Sequence, residues 1–260
     1  MNIYILAEFP FALKRDGKEL AKNAKYCELS ADGNSVLEIM PLDLSPARCF
    51  SPSEAFFRAA DENAVKVRME NGGFGTGHNT VLSLLHSRVH FILNPDIQLT
   101  EDTLSDLADW MTAHPGVVMA RPALTFPDGR PQRLPLRRCS VRAMVYRQLP
   151  CLKFWARYNE HYLMADRDLT SPTEIEFCTG SFSAVDTAAF KAVGGFDEDY
   201  FMYVEDADLT QKMRTRGKAY LVPQYTAIHA WHRAAHRSLK PFLWQLHSLL
   251  RYFSKWGFAW

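Results

Sequence analysis

The segment from His90 to Ala120, HFILNPDIQLTEDTLSDLADWMTAHPGVVMA, decides the fold class. His90 to Leu93 is a short apolar run and predicts a buried strand, while the apolar spacing of Thr100 to His114 predicts a helix. Val117 to Ala120 predicts a second buried strand. Because a strand, a helix and a strand in succession favour a parallel pair, we expect an α/β protein with a mostly parallel central sheet flanked by helices.

The alternation continues upstream of this segment. Asn2 to Phe9 predicts a buried first strand, and the capping box Ser51-Pro52-Ser53-Glu54 predicts a helix. Ala64 to Met69 alternates as a strand does. Asn71 to Asn79, NGGFGTGHN, predicts a glycine-rich turn, and a helix follows it to Arg88.

Downstream, the regular pattern is interrupted and then returns. The stretch from Gly129 to Asn159 has no carboxylate and carries eight Arg or Lys residues, which predicts a basic insertion. Regular elements follow, with a helix from about Glu205 to Arg216 and a strand from Ala219 to Val222. His229 to Trp260 again has no acidic residue and predicts a C-terminal amphipathic helix.

Composition limits the classes of protein. With 260 residues, of which 47% are hydrophobic, the chain can bury a core and fits one domain. A net charge of +1 gives no support for binding nucleic acid through whole-molecule attraction. Five scattered cysteines favour a reduced cytosol, and neither a signal peptide nor an apolar run of about 20 residues is evident. We therefore expect a cytoplasmic protein.

Two segments at strand ends contain candidate binding residues. The glycines after Asn71 do not match a dinucleotide or P-loop motif, because His78 occupies the place of the third glycine and no Gly-Lys-Ser/Thr follows. The loop is either a tight turn or a backbone that approaches a ligand. Asp96, in Asn94-Pro95-Asp96, follows an apolar strand; it forms either an Asx turn or a ligand for a hard cation such as Mg²⁺ or Mn²⁺.

The segment from Gly194 to Leu209, GGFDEDYFMYVEDADL, gathers six carboxylates among aromatic residues. Such interleaving is not typical of a solvated charge run. At the start of the predicted helix, Glu205 and Asp206 either stabilise the helix dipole and the cap or include a buried general base.

From Asn71 to the C-terminus, the order of four blocks resembles the family-2 glycosyltransferases of the rhamnosyltransferase type, which have a GT-A fold and build bacterial O-antigen, capsule and cell-wall glycans. The blocks are the glycine loop, Leu93 to Asp96, Gly180 to Leu209, and Val222 to His229. The resemblance implies an inverting enzyme that transfers a sugar, rhamnose first, from a nucleotide-diphosphate donor.

The resemblance also implies the roles of individual residues. Asp206 is the catalytic base and Glu205 a second catalytic residue that orients the acceptor, while Asp96 and His229 are the ligands of the divalent cation. The implied donor-binding residues are Glu8, Asn71, Gly73, Phe74, Asn79, Asn94 and Asp96. The implied acceptor-binding residues are Gly180, Asp197, Tyr203 and Glu205.

These roles divide the single domain into regions. Residues 1–120 form the nucleotide-sugar half, 121–228 the acceptor and catalytic half, and 229–260 a helical tail. The acceptor is a lipid-linked or polymeric glycan, and the basic tail predicts peripheral contact with the anionic inner face of the bacterial cell membrane. Arg251 and Lys255 belong to this predicted contact. The alternative is that the helix packs on the protein's own core.

Two other functions remain open. The first 70 residues depart from the family pattern, since only Glu8 and a displaced Asp32-Gly33-Asn34-Ser35 echo the usual nucleotide-binding turns. This departure is compatible with a catalytically inactive GT-A-fold protein that binds sugar or acts as a scaffold. A zinc site formed by His229, His232 and His236 on one helical face is the other alternative, although no fourth ligand is evident.

Overall fold

The computed structural model describes residues 73–79, 82–83, 85–94, 97–99, 101–229 and 243–260 in full, and the backbone alone of 2–5, 12–15, 18–22, 27–29, 36–39, 48–49, 84 and 239–242. Several predicted features lie outside the described residues: Glu8, the turn from Asp32 to Ser35, the helix after Ser51, the strand from Ala64 to Met69, Asn71, and Asp96.

The described strands are β1 (Asn2–Ile5), β2 (Ala12–Arg15), β3 (Lys18–Lys22), β4 (Cys27–Leu29), β5 (Val36–Ile39), β6 (Arg48–Cys49), β7 (Val89–Leu93), β8 (Ile97–Gln98), β9 (Val117–Thr125), β10 (Thr173–Ile175), β11 (Phe182–Asp186) and β12 (Lys218–His229). The described α-helices are α1 (Phe74–Asn79), α2 (Thr103–Ala113), α3 (Val141–Gln148), α4 (Ala156–Tyr162), α5 (Thr187–Ala192), α6 (Glu205–Arg214) and α7 (Leu239–Trp256). Single 3₁₀ turns occupy Leu82–Leu84 and Lys153–Trp155.

A seven-stranded central sheet organises the described part of the chain. Its order is β1-β7-β11-β9-β12-β10, and β8 pairs with the end of β12. Helices flank the sheet, as the sequence predicts. The expected mostly parallel arrangement is wrong for the described pairings, because β1/β7 and β9/β12 are parallel whereas the other four are antiparallel.

The position of β11 explains this difference. The strands of the predicted alternation, β1, β7, β9 and β12, all run in one direction, as crossover connections require. β11 follows the basic insertion and enters between β7 and β9 in the opposite direction. Strand periodicity reveals which face of a strand is buried, but not which neighbours it has.

The two faces of the sheet have separate cores. Leu107 and Met111 of α2 pack with Phe91 on one face. Leu209 and Met213 of α6 pack with Ile92 on the other. The apolar residues of each helix recur at helical spacing, so these helices are found where the sequence predicts them.

The glycine-rich segment differs from its prediction. Instead of a turn, residues 74–79 form the short helix α1, which starts after Gly73 at φ 101°. The predicted continuation to Arg88 is wrong for the residues that the structure describes there, because a 3₁₀ turn occupies Leu82–Leu84 and residues 85–88 are not helical. The carboxamide of Asn79 bonds the N–H and C=O of Phe196 at 2.8 and 3.0 Å, which ties the end of α1 to a distant loop.

The C-terminal helix α7 packs on the protein's own core. Its residues Tyr252 and Phe253 are buried, and Ser248 donates a hydrogen bond of 2.9 Å to the carbonyl of Met202. Trp244 packs on the ring of Phe201 at 4.7 Å. This inner face therefore belongs to the core, which is one of the two interpretations of the sequence.

The predicted membrane role of Arg251 and Lys255 is corrected by their partners. Arg251 pairs with Asp197 at 3.2 Å, and Lys255 pairs with Asp197 and Asp208, each at 2.9 Å. Arg251 also pairs with Asp199. Both cations hold α7 on the acidic segment from Gly194 to Leu209, so their charges are compensated within the protein. Among the described residues, no helix combines the length and the hydrophobicity that a bilayer span requires.

Candidate active site

The start of α6 is a strained point of the backbone. Tyr203 and Val204 both have positive φ angles, 69° and 68°, which are uncommon outside glycine and a clear outlier for a β-branched residue. Each such residue costs roughly 1–3 kcal/mol and persists only where the surroundings impose it. The strain turns the chain sharply before Glu205 and Asp206, and strained residues of this kind cluster at functional sites.

Asp206 is held in one orientation by two backbone groups. Its Oδ2 accepts a hydrogen bond from the N–H of Gly180 at 3.0 Å, and its Oδ1 accepts one from the N–H of Ala207 at 2.8 Å. A Cβ at Gly180 would lie 3.4 Å from the Asp206 Cβ and 3.4 Å from the ring of Phe74. These are ordinary van der Waals distances, so Gly180, Asp206 and Phe74 are close neighbours and a methyl group would also fit between them.

Glu205 and Asp206 form a coupled acidic pair. Burial, and after it the charge of the neighbouring Asp206, raise the pKa of Glu205 to about 8. Burial also raises the pKa of Asp206, although hydrogen bonds from Gly180 and Ala207 oppose this effect. No hydrogen bond reaches Glu205 Oε2 from the described residues. Near neutral pH the pair therefore holds a proton, and apparent titration values belong to the pair.

Glu205 should make stability depend on pH. Its folded pKa of about 8 lies above its ordinary value of 4.5, so the folded state keeps a proton that the unfolded chain releases. The free energy of unfolding should fall as pH rises from about 4.5 and level off above about pH 8. Glu205→Gln should remove this fall and be more stable than the wild type at pH 8, by on the order of 2 kcal/mol.

Urea unfolding at pH 5.5 and 8 measures this difference. Glu101→Gln, a change at an exposed glutamate, is the matched control and should keep the wild-type pH dependence. If the free energy of unfolding of Glu205→Gln falls with pH as steeply as that of the wild type, Glu205 is ionised in the folded protein.

The end of β7 lies beside this pair. The N–H of Asn94 donates to the carbonyl of Ser181 at 2.9 Å, and Ser181 directly follows Gly180. Asp96 is outside the described residues, but Ile97 pairs with His229 in the β8/β12 ladder. The structure therefore brings Asn94, Gly180, Asp206 and the segment that contains His229 to one region of the sheet.

His229 is buried at the end of β12, so it does not share a helical face with other histidines. Gln132 donates from Nε2 to the His229 carbonyl at 2.7 Å, and its Oε1 lies 3.0 Å from His229 Nδ1. With this amide orientation Nδ1 donates to Gln132, which fixes the orientation of the imidazole ring. Gln132 has no sequence signal as a partner, because it lies 97 residues away.

Other predicted site residues have structural contacts. A Cβ at Gly73 would collide with the carbonyl of Phe201, so only glycine fits there. Asn79 donates to Glu198 at 2.9 Å in addition to its bonds with Phe196. Their donor-binding roles stay predictions.

Two acids of the acidic segment hold α7. Burial alone would raise the pKa of Asp197, but the hydrogen bond from Lys255 and other contacts keep it below its ordinary value. Asp208 is fully buried and accepts hydrogen bonds from Trp256 Nε1 at 2.7 Å and from Lys255. Asp208 therefore anchors the C-terminal helix. An acceptor role for Asp197 stays a prediction.

A buried arginine near this region was not predicted. Arg121 lies inside β9 and is only 3% exposed. A cation inside an apolar strand, VVMARPALT, is a signal that the sequence offers. The periodic pattern alone does not show that the side chain is enclosed.

Comparisons with known proteins give two close relatives. The chain is 30% identical to rhamnosyltransferase WbbL of Escherichia coli (strain K12) over 200 residues, which cover 72% of this chain and 73% of that protein. It is 29% identical to the N-acetylglucosaminyl-diphospho-decaprenol L-rhamnosyltransferase of Mycobacterium tuberculosis (strain CDC 1551 / Oshkosh), over 68% of this chain and 66% of that protein. No family model matches the chain.

A solved structure shows the same fold. GalNAc-T7, crystallised with UDP, GalNAc and Mn²⁺, superposes with a TM-score of 0.50. The superposition covers 80% of this chain and 40% of that chain, at 14% identity. At this identity the likeness concerns the fold alone.

Proposed function

This chain belongs to the family-2, rhamnosyltransferase-like glycosyltransferases with a GT-A fold, and from that premise we propose that it transfers a sugar, rhamnose first, from a nucleotide-diphosphate donor to a bacterial surface-glycan acceptor with inversion. One observation supports the assignment most directly. The Asp206 carboxylate is held by the Gly180 N–H, beside the strand end that leads to Asp96.

In the proposed mechanism Asp206 accepts the proton of the acceptor hydroxyl as that oxygen attacks the anomeric carbon. The two backbone N–H groups leave the carboxylate little rotational freedom, so it is oriented before the acceptor arrives. Glu205 stays protonated at neutral pH and positions the acceptor from the adjacent place on α6. A raised pKa brings the Asp206 base closer to the working pH, where general bases are most efficient.

The residues present fit a divalent cation, Mg²⁺ or Mn²⁺. Asp96 and His229 would hold it, since Gln132 orients the His229 ring and His229 pairs with Ile97, which follows Asp96 in the sequence. The described residues contain no cluster of three metal-ligating side chains, and Asp96 is not among them. When bound, such a cation offsets the negative charge of the leaving diphosphate.

The three regions follow the same proposal. Residues 1–120 bind the donor, 121–228 bind the acceptor and carry the base, and 229–260 brace the acidic segment through α7. Gly73, Phe74, Asn79 and Asn94 face the donor side in this scheme, as do Glu8 and Asn71. Gly180 and Tyr203 flank the acceptor side.

Transfer by the purified protein tests the proposal. We expect deoxythymidine-diphosphate rhamnose with Mn²⁺ and a lipid-diphosphate-linked sugar acceptor to give product of inverted anomeric configuration, and excess EDTA to abolish it. Asp96→Ala should also lose the Mn²⁺-dependent thermal shift that the nucleoside diphosphate causes. If neither transfer nor donor hydrolysis occurs with a panel of nucleotide sugars, an inactive sugar-binding protein is the better description.

We further propose that the enzyme meets its acceptor on an anionic membrane through the outer face of α7. Leu243, Leu246 and Leu250 are 52%, 44% and 55% exposed along this face. Gln148 bonds Gln245 at 2.7 Å and thereby joins α7 to the end of α3, where the exposed Leu149 begins the next loop. The nearby exposed side chains of the basic insertion are Arg147, Lys153, Phe154 and Arg157.

Apolar side chains surrounded by cations suit an anionic lipid surface. The protein should sediment with vesicles of anionic lipid at low salt, and raised salt should release it. The double variant Leu246→Ser, Leu250→Ser should bind these vesicles at least about tenfold more weakly with an unchanged Tm. Trp260→Ser, at an exposed residue beyond the helix, is the control. If the wild type, the double variant and Trp260→Ser bind the vesicles equally well, the outer face of α7 is not the membrane-binding surface.

A further inference from the structure

Arg121 is a cation enclosed in the protein interior. It lies in β9, where it pairs with Leu221 of β12, and only 3% of its surface is exposed. Burial lowers the pKa of its guanidinium, but arginine still stays protonated because its ordinary pKa lies far above neutral pH. The position therefore carries a full positive charge.

The contacts of this guanidinium do not balance the charge. Within the described residues its hydrogen bond is a long one, 3.4 Å from Nη1 to Thr179 Oγ1, and Nε has no acceptor. Among the residues that the structure describes, no carboxylate forms an ion pair with the Arg121 guanidinium. A buried charge without a counter-ion is strongly unfavourable, so natural proteins rarely retain one unless something else supplies the opposite charge.

The Arg121 guanidinium contacts the segment from Thr179 to Ser181, which forms hydrogen bonds both to α6 and to the end of β7. Thr179 Oγ1 lies 3.0 Å from Ser181 Oγ, and Gly180 between them binds Asp206. Ser181 also accepts the N–H of Asn94 from the end of β7. Thr179 and Gly180 are half-buried, so this segment is partly open to solvent beside the buried guanidinium.

We propose that Arg121 binds a phosphate group of a substrate diphosphate at the segment from Thr179 to Ser181. The planar fork of arginine matches phosphate oxygens, and the hydroxyls of Thr179 and Ser181 supply further donors. The diphosphate belongs either to the nucleotide donor or to the lipid-linked acceptor. The identity of these two substrates rests on the proposed function, whereas the phosphate site itself does not. Arg121 is a binding residue that supplements the cation at Asp96.

Calorimetry with inorganic pyrophosphate in EDTA tests the binding directly, because chelation removes any contribution of a metal. We expect the wild type to bind, and Arg121→Met to bind roughly tenfold or more weakly. Arg121→Lys keeps the charge without the fork and should lie between them. Arg133→Met is the matched control, since Arg133 is a largely exposed arginine paired with Glu160, and it should bind as the wild type does.

A stability measurement separates binding from a structural role. Without ligand, Arg121→Met should melt at least about 2 °C above the wild type, because an apolar side chain of similar length replaces an uncompensated charge. A lower Tm with unchanged pyrophosphate affinity would overturn the proposal. If the methionine variant does not fold, absence of pyrophosphate binding to the wild type, or wild-type affinity in Arg121→Lys, overturns it instead.

Two competitors identify the carrier. If deoxythymidine diphosphate displaces pyrophosphate and loses affinity in Arg121→Met, the donor supplies the phosphate; the same result with geranyl diphosphate assigns it to the acceptor. Failure of both to displace pyrophosphate overturns the assignment to a substrate. Arg121-dependent binding without any sugar transfer would contradict the proposed function and leave the phosphate site in place.

Discussion

Asp206→Asn should lower kcat/KM by roughly 10²-fold or more while the protein still folds and binds its donor, which is the usual scale for losing a general base. Asparagine has nearly the same shape, but its amide does not accept the acceptor proton. It also offers one oxygen to the two N–H groups of Gly180 and Ala207, so one of these bonds is lost. Transfer rates, together with donor-induced thermal shifts, measure the two effects separately.

Two comparisons sharpen this test. Asp109→Asn changes an exposed acid on α2 and should leave kcat/KM unchanged. Glu205→Gln should keep more activity than Asp206→Asn, because it removes a positioning group and leaves the base. Turnover near the wild-type level in Asp206→Asn would exclude Asp206 as the base, and equal losses in both variants would show that the pair acts as one unit.

Lys255→Met should lower the free energy of unfolding by about 3 kcal/mol, which corresponds to a Tm lower by roughly 6–12 °C. Lys255 binds the carboxylate of Asp208, whose side chain is 0% exposed. Without this cation the buried carboxylate keeps its hydrogen bonds from Trp256 and Tyr200, which are neutral donors. Removing one partner of a buried ion pair costs about 3–5 kcal/mol of stability. We take the lower end of this range because the Lys255 side chain is 34% exposed.

Lys218→Met provides the control for a surface pair. Lys218 binds Glu174 at 3.0 Å, but the two side chains are 59% and 45% exposed, so we expect a loss below about 1 kcal/mol. Adding Asp208→Asn to Lys255→Met should recover part of the stability by removing the uncompensated charge. Equal losses in Lys255→Met and Lys218→Met would show that α7 does not depend on this pair.

The parallel frame of the sheet could be predicted because its signals are local. An apolar run predicts a buried strand, and the spacing of leucines in α2 predicts its inner face. The position of Asp206 at the start of α6 follows from the same reasoning, since acids favour the first turn of a helix. The resemblance then suggested its role.

Other features depend on distant residues and were missed or misplaced. The pairing of β11 with β7 and β9 depends on how the basic insertion returns the chain. The end of α1 depends on Asn79 bonding Phe196, 117 residues away. The orientation of α7 depends on ion pairs that Arg251 and Lys255 form 47 to 58 residues away.

By itself, the sequence determined the main strands and helices, such as β7, α2, β9 and α6, and where the acidic residues concentrate, because spacing, capping and helix propensity act over a few residues. Only the tertiary structure decided what each acid does. Asp197 and Asp208 neutralise the cations of α7, whereas Asp206 turns to the backbone of Gly180. The enclosure of Arg121 was decided in the same way. The role of a charged side chain depends on the groups that pack around it. These groups are often distant in the sequence, so local patterns do not reveal the contact.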